Sequence, residues 1–321
     1  MITREEFYAK CDELQTPEDV KYILEQNKKL KRNKLIFLAI FITIEIILNI
    51  VLLKKLEAST YTLFLVCIIL PASLLALFLG LYIISSSNKA DTSKKLKLKY
   101  SPEVINILLK DYQHSFSPNE YISQSIFKSS PFNSYYEDYI GEDLLRINIP
   151  NDDGTPSYVV LQASDLDVSY TEEYEDSEGN TKTRTVSVYR GLFGYVQFPF
   201  KFKCNLGLNC YSGKVKRIEL EDMSFNKKFK TYTDDQLEAV VILTPTLMVK
   251  LLEFNSRNFG FKCFLNKKGE LYFGISTNLF ETNYPKPNES FHEVFRHFYN
   301  DIKTILEIVE EIKTNNKTFK M

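Results

Sequence analysis

The sequence predicts a membrane-anchored α+β protein: a two-helix transmembrane hairpin, then a mainly antiparallel β-sheet domain with flanking helices and a long C-terminal helix. Three observations carry this. Leu35 to Leu53 and Tyr61 to Ile84 are apolar runs, each long enough to cross a bilayer as a helix. From Asp143 to Ser276 polar and apolar residues tend to alternate in short runs, the period of half-buried strands. Finally, Phe291, Phe295, Phe298, Ile302, Ile305, Val309 and Ile312 step by four and three, the period of a helix with one buried stripe.

The lead, residues 1–34, has a helix start at Thr16-Pro17-Glu18-Asp19: a capping hydroxyl, a proline at the first helical position and acids at the positive end of the dipole. This helix is expected to run on into the membrane. The hairpin occupies 35–86, with spans 35–53 and 61–84. Lys28, Lys29, Lys31, Arg32 and Lys34 precede it and Lys89, Lys94, Lys95, Lys97 and Lys99 follow it, whereas the connection Lys54 to Thr60 holds two Lys and one Glu. The positive-inside rule therefore puts both ends in the cytoplasm. The first span starts too deep in the chain, and lacks a small-residue cleavage site, to be a removable signal. Tyr61 and Tyr82 suit the headgroup layers, and Pro71 predicts a kink.

Within the spans, Glu45 lies near the centre of its helix, Asn49 shares its face one turn on, and Ser73 lies at similar depth in the second span. A mid-bilayer charge costs about 2.5–3.5 kcal/mol on insertion scales, so these groups are expected to be buried in a helix interface, through packing or oligomerisation, the alternatives being an ion or proton path and lone polar groups that the span tolerates.

The soluble part, residues 100–315, begins with two proline-started helices, at Ser101-Pro102-Glu103 and Ser117-Pro118-Asn119-Glu120. Strands are then expected at 143–149, 157–170, 182–198, 214–220, 228–232, 237–243, 259–265 and 271–276. Leu166, Val168, Tyr170 and Tyr174 alternate with Asp165, Asp167, Ser169, Thr171 and Glu173, which predicts one buried face. A short helix should open at Thr244-Pro245, with Leu247, Met248, Leu251 and Leu252 on one side. Asn266-Lys267-Lys268-Gly269 reads as a hairpin turn. The final helix is expected from about Asn288, lying across the sheet or forming a coiled-coil seam, with 316–321 as a frayed tail.

Charge is distributed unevenly. Residues 1–100 hold 15 basic and 10 acidic side chains, against 25 and 31 in 101–321, so a basic anchor precedes an acidic soluble part and no nucleic-acid partner is expected. Between Glu137 and Glu178 there are 13 acids and one basic residue, and between Lys182 and Lys230 there are 11 basic residues and three acids. Antiparallel pairing would bring these blocks together, either as cross-strand ion pairs or as a bipolar docking surface. Lys, Asn, Ile, Tyr and Phe are abundant and Trp is absent, which fits an AT-rich bacterial genome.

Tyr189-Arg190-Gly191-Leu192-Phe193 is one notable motif. The other runs from Met223-Ser224-Phe225 through Lys228-Phe229-Lys230-Thr231-Tyr232-Thr233-Asp234-Asp235-Gln236-Leu237-Glu238-Ala239 to Ile242-Leu243-Thr244-Pro245-Thr246-Leu247-Met248. On these segments, and on the order of two spans, β-rich core and final helix, the chain resembles a bacterial integral-membrane family with a cytoplasmic domain of unknown function. The resemblance implies an inner-membrane location and supplies no activity or ligand.

No catalytic or metal-binding pattern is complete. The five cysteines, Cys11, Cys67, Cys204, Cys210 and Cys263, form no C-x-x-C pair and read as reduced structural thiols. His114, His292 and His297 lack ligand spacing. Gly213-Lys214 lacks the remainder of a phosphate loop. Asp152 and Asp153, and the group Asp234, Asp235 and Glu238, carry the oxygen ligands a hard cation needs but not the spacing; turn chemistry and a strand entry account for them. Arg190 and Gly191, with Asp234, Asp235 and Glu238, are the candidate ligand or partner contacts, Gly191 also reading as a bulge or close backbone approach. No cofactor or metal is expected. The reading is a non-enzymatic interaction or sensory module tethered to the bacterial inner membrane, with the bilayer and a cytoplasmic protein as partners and a homo-oligomer through the spans. The alternatives are an oligomeric conduit around Glu45 and an enzyme with an unrecognised site.

Overall fold

The computed structural model describes residues 1–55, 70–151, 157–177, 179–285 and 289–318. Asp152, Asp153, Tyr61, Cys67, residues 56–60 of the connection and the expected helix start at Asn288 lie outside them. The chain divides into two compact units. One comprises Ala9–Lys99 with Thr282–Val294, the other Met1–Tyr8, Tyr100–Glu281 and Phe295–Met321.

The first unit is built on two long helices, α2 (Pro17–Lys55) and α3 (Leu70–Leu108), the latter running into the second unit; α1 (Arg4–Glu13) precedes them. The start of α2 is a reciprocal cap. The Asp19 amide donates to Thr16 Oγ1 at 3.3 Å and the Thr16 amide to the Asp19 carboxylate at 3.0 Å, which satisfies donors that the first turn leaves free. The helix then continues unbroken into the first apolar run. Lys99 Nζ pairs with Asp19 at 2.8 Å, Lys95 Nζ lies 5.6 Å from the centre of the Tyr22 ring, and a side chain at Gly80 would collide with the ring of Phe37. In each pair the residue numbers add to 117 or 118, the constant register of antiparallel helices of equal rise. The segment Thr282–Val294 lies against this hairpin. Thr282 Oγ1 donates to the Ser93 carbonyl at 2.9 Å, and His292 meets the Asp12 carboxylate through its backbone amide and its ring Nδ1, each at 2.8 Å.

Both helices are long and apolar enough to cross a membrane, and none of the most apolar 18-residue window of either is buried. Leu35 is 67% exposed and Phe78 69%. Each such side chain left in water would forgo roughly 1.5–3 kcal/mol, so these surfaces suit hydrocarbon.

The second unit holds a nine-stranded, wholly antiparallel sheet of order β1-β2-β3-β4-β9-β8-β5-β7-β6. Its long strands are β2 (Asp138–Pro150), β3 (Tyr158–Glu175) and β4 (Thr181–Gln197); β1 (Gln113–Ser117) edges them. The short ones are β5 (Leu206–Leu208), β6 (Lys216–Ile218), β7 (Thr231–Thr233), β8 (Lys262–Leu265) and β9 (Glu270–Gly274). β8 and β9 form the expected hairpin: Asn266 Oδ1 accepts the amides of Lys268 and Glu270, and Gly269 takes φ +89°.

Four further helices complete the unit: α4 (Gln124–Ser129), α5 (Met223–Lys228), α6 (Gln236–Ile242) and α7 (Pro245–Arg257). The closing helix α8 (Arg296–Thr318) follows a 3-10 turn, Phe291–Val294. On one sheet face, Leu145, Ile147, Leu161 and Ala163 share a lining with Ile302, Ile305 and Leu306 of α8, and Leu206, Leu208, Leu265 and Leu271 share another with Ile305, Val309 and Ile312. The part of the four-three stripe from Ile302 to Ile312 is therefore buried on the sheet. The opposite face carries a second core of Phe127, Phe132, Tyr189, Phe193, Leu144 and Leu166.

Four expectations are corrected. The closing helix starts at Arg296 rather than near Asn288, and Phe291, expected on its stripe, stands in the 3-10 turn before it. Ser101-Pro102-Glu103 does not start a helix; Pro102 lies inside α3, which stays unbroken because Tyr100, Val104, Ile105 and Leu108 are buried on one side. Ser117-Pro118 ends β1, and the helix begins only at Gln124. Residues 237–243 are helical rather than a strand, because Asp235 caps them and only Ala239, Ile242 and Leu243 are buried there, at helical spacing.

Candidate interaction site

The predicted site residues fall into three places. Glu45 and Asn49 share a face of α2, and Asn49 Nδ2 donates to the Glu45 carbonyl at 2.8 Å, an in-helix bond that holds the amide against its own backbone. Carrying the register of the 19/99, 22/95 and 37/80 pairs onward places Glu45 level with Ala72 and Ser73. Glu45 and Ser73 are both half-buried.

Arg190 and Gly191 lie on β4. Arg190 is paired across the strands with Asp167, at 3.2 Å. Gly191 has φ +126°, and a Cβ there would strike the carbonyl oxygen of Ile275 and the amide of Thr277. The glycine lets the chain after β9 press against β4, where Leu192 and Thr277, and Ile275 and Leu192, exchange backbone hydrogen bonds of 3.0 and 3.1 Å. Around it, the Tyr189 hydroxyl donates to the Leu192 carbonyl, and Tyr189 and Phe193 pack edge-on at 6.0 Å with Phe127 and Phe132 against them. Lys262 Nζ lies 4.5 Å from the Phe132 ring centre and 5.1 Å from that of Tyr189, and burial pulls its pKa down. The Tyr189–Phe193 motif thus builds the second core.

Asp234, Asp235 and Glu238 do not converge on one point. Asp234 accepts from Asn205 at 2.9 and 2.8 Å and from Lys267 at 3.0 Å, and these donors hold its carboxyl below the usual range against a desolvation that acts the other way. Asp235 caps α6, accepting the Glu238 amide at 3.2 Å, and the Glu238 side chain pairs with Lys203 at 3.6 Å. Asp222 and Thr244 cap α5 and α7 in the same way, so the longer motif is largely a series of helix starts. Among the described residues no group of three or more His, Cys, Asp or Glu side chains is placed to hold a metal. Burial raises the thiols of Cys11 and Cys210 to about 12 and of Cys204 to about 11, which keeps them protonated at neutral pH.

The structure also brings out an element that the sequence reading did not foresee. β2 stops pairing with β3 at Asp138 and Ser169, yet β3 and β4 remain paired through Tyr170–Val186, Glu172–Arg184 and Tyr174–Lys182 to Glu175–Thr181. This two-stranded ribbon extends about 20 Å past its last neighbour, at about 3.3 Å per residue. One face is laced by charge: Arg184 pairs with Glu172 and sits 5.5 Å from the Tyr174 ring centre, Lys182 pairs with Asp176 at 2.7 Å, and Tyr135 packs edge-on against Tyr170. The acidic and basic blocks do meet as cross-strand pairs here. On the other face stand Thr171, Thr181, Thr183, Thr185, Glu173 and Glu175, all exposed, and neither glutamate has a basic partner among the described residues.

No curated protein and no solved structure matches the chain. Residues 187–314, from the middle of β4 into α8, match the model of a family described as "Protein of unknown function (DUF3137)".

Proposed function

We propose that this protein is an interaction module tethered to the bacterial inner membrane, with both termini in the cytoplasm, and that the β3–β4 ribbon engages a partner protein. The ribbon carries the reading. A lone two-stranded ribbon is marginal in water, and beyond the Thr171 amide, which Glu137 accepts at 3.0 Å, both edges of this one are open to further pairing among the described residues. Such an element is suited to burial against another surface. The two unburied apolar helices and the ten basic residues that flank them support the tether and its orientation. A half-buried Glu45 level with Ser73 favours an interface between spans, which would support a homo-oligomer.

Two measurements test this. Cysteine accessibility in intact cells should show Ser59→Cys reachable from outside and a cysteine at Met321 not; the reverse overturns the orientation. A photoreactive residue replacing Thr183 should crosslink the full-length protein to another polypeptide in native membranes, whereas one replacing Thr314, on the exposed side of α8, should not. Absence of a ribbon crosslink overturns the docking role.

A further inference from the structure

We infer that the partner of the ribbon is a second copy of this chain, which receives it on the basic edge formed by β6, α5 and the residues around them. The inference rests on the ribbon being a docking element and adds what it docks on. From Tyr170 to Val186 the ribbon has five acids and two basic residues, a balance of −3. From Lys214 to Lys230 the chain has six basic residues and three acids, a balance of +3. Lys214, Lys216, Arg217, Lys227, Lys228 and Lys230 are all exposed, and none has an acidic partner among the described residues. Most basic side chains that adjoin acids in this unit are used: Arg184, Arg190, Lys203, Lys250, Arg257 and Lys267 all form ion pairs. The unpaired charge is thus concentrated at two places of opposite sign.

These places cannot meet within one molecule. β6 is the last strand of the sheet, five strand-to-strand steps from β4. At about 4.8 Å a step that is roughly 24 Å, and the ribbon projects along its strands rather than across the sheet. Contact therefore has to be between copies. β6 pairs only with β7, so its outer backbone edge is open to an incoming strand among the described residues. The contact joins the ribbon of one copy to the edge of another, either by reciprocal exchange in a two-fold pair or head to tail in a ring or chain of copies.

The test is charge reversal and complementation in the full-length protein, in native membranes, with a carbodiimide that joins touching carboxylates and amines. Wild type should give crosslinks between Glu173 or Glu175 and Lys214 or Lys216, shown to be intermolecular by mixing isotope-labelled and unlabelled copies. Glu173→Lys with Glu175→Lys, and separately Lys216→Glu with Arg217→Glu, should each lower self-association at least tenfold. Coexpressing the two reversed proteins should restore it, since both ribbon-to-edge contacts are then again between opposite charges. Raised salt should weaken association, because exposed charges are screened. Reversed proteins that associate like wild type overturn the inference, as does failure of the mixture to recover. If the Thr183 probe still captures a different protein while self-association ignores both reversals, the docking role survives and the second copy does not. If the edge reversal instead only loosens contact with anionic lipid, the edge belongs to the bilayer and the inference fails.

Discussion

The carboxylate of Asp165, in the middle of β3, accepts the backbone amides of Leu279 and Phe280 at 3.0 and 3.2 Å. By alternation Asp165 belongs with Asp167 and Ser169 on the polar side, yet it is 3% exposed. The chain returns after β9 and covers that side of β3, and its free amides need an acceptor there. Phe280, placed by this bond, is fully buried and packs on Phe116 and Phe298 at 5.4 and 6.0 Å. Asp165→Ala should cost about 3 kcal/mol, since two charge-assisted bonds vanish and two buried donors are orphaned. Denaturant unfolding checks this. Asp165→Asn should fall between, because an amide oxygen can accept while its NH2 faces another donor.

Gly191 offers a second test of the same region. A side chain there must take φ +126° and push into the Ile275 carbonyl, which is backbone and cannot swing aside. Gly191→Ala should destabilise by about 2–4 kcal/mol. An exposed glycine that also has a positive φ, Gly179 at +82° with open space around it, provides the control, and Gly179→Ala should cost about 1 kcal/mol from conformation alone.

How legible these features were in the sequence follows from the range of the forces. The helix caps at Thr16 and Thr244, the Asn266–Gly269 turn and the apolar residues from Phe295 to Ile312 depend on neighbours within a few residues, and each stands where the pattern placed it. Residues 237–243 were misread because a short apolar run fits a strand as well as a helix, and only the cap at Asp235 decides. Asp165 was misread because its partners are more than a hundred residues away. The ribbon was hidden for a related reason: alternation marks a strand, but where its neighbour stops is a fact of β2. Gly191 was legible as a close approach, whereas the segment it approaches, Ile275 to Thr277, was not.

His297 sets a pH dependence. Burial outweighs the nearby Asp301 and the backbone carbonyls of Glu281 and Leu279, so its pKa lies below the ordinary value of 6.5. The folded protein then resists a proton that the unfolded chain accepts. Stability should fall as pH drops below about 6.5, down to the folded pKa, by at most about 1.4 kcal/mol per pH unit for one proton. His297→Gln should flatten that part of the profile, read from midpoints of thermal unfolding at pH 7.5, 6.5 and 5.5. An unchanged slope would place the dependence elsewhere.

Glu45 is the last group to test, and the register makes the test sharper. An ionised carboxylate at mid-bilayer has no compensating charge: neither span contains a basic residue. A hydrogen-bonding side chain at that depth needs a partner, and Ser73 is at the right level on the antiparallel helix to be one. A carboxyl group paired within one hairpin should tolerate Glu45→Gln, which keeps shape and hydrogen bonding, whereas Glu45→Leu removes the bond and favours the lipid face. Crosslinking in membranes should then show native assembly for the Gln variant and weakened assembly for the Leu variant. Ser73→Ala should resemble Glu45→Leu, and the two together should be no worse than either alone, because each removes the same contact. If Gln and Leu both abolish an ion flux while assembly is unchanged, a conduit around Glu45 replaces the packing role.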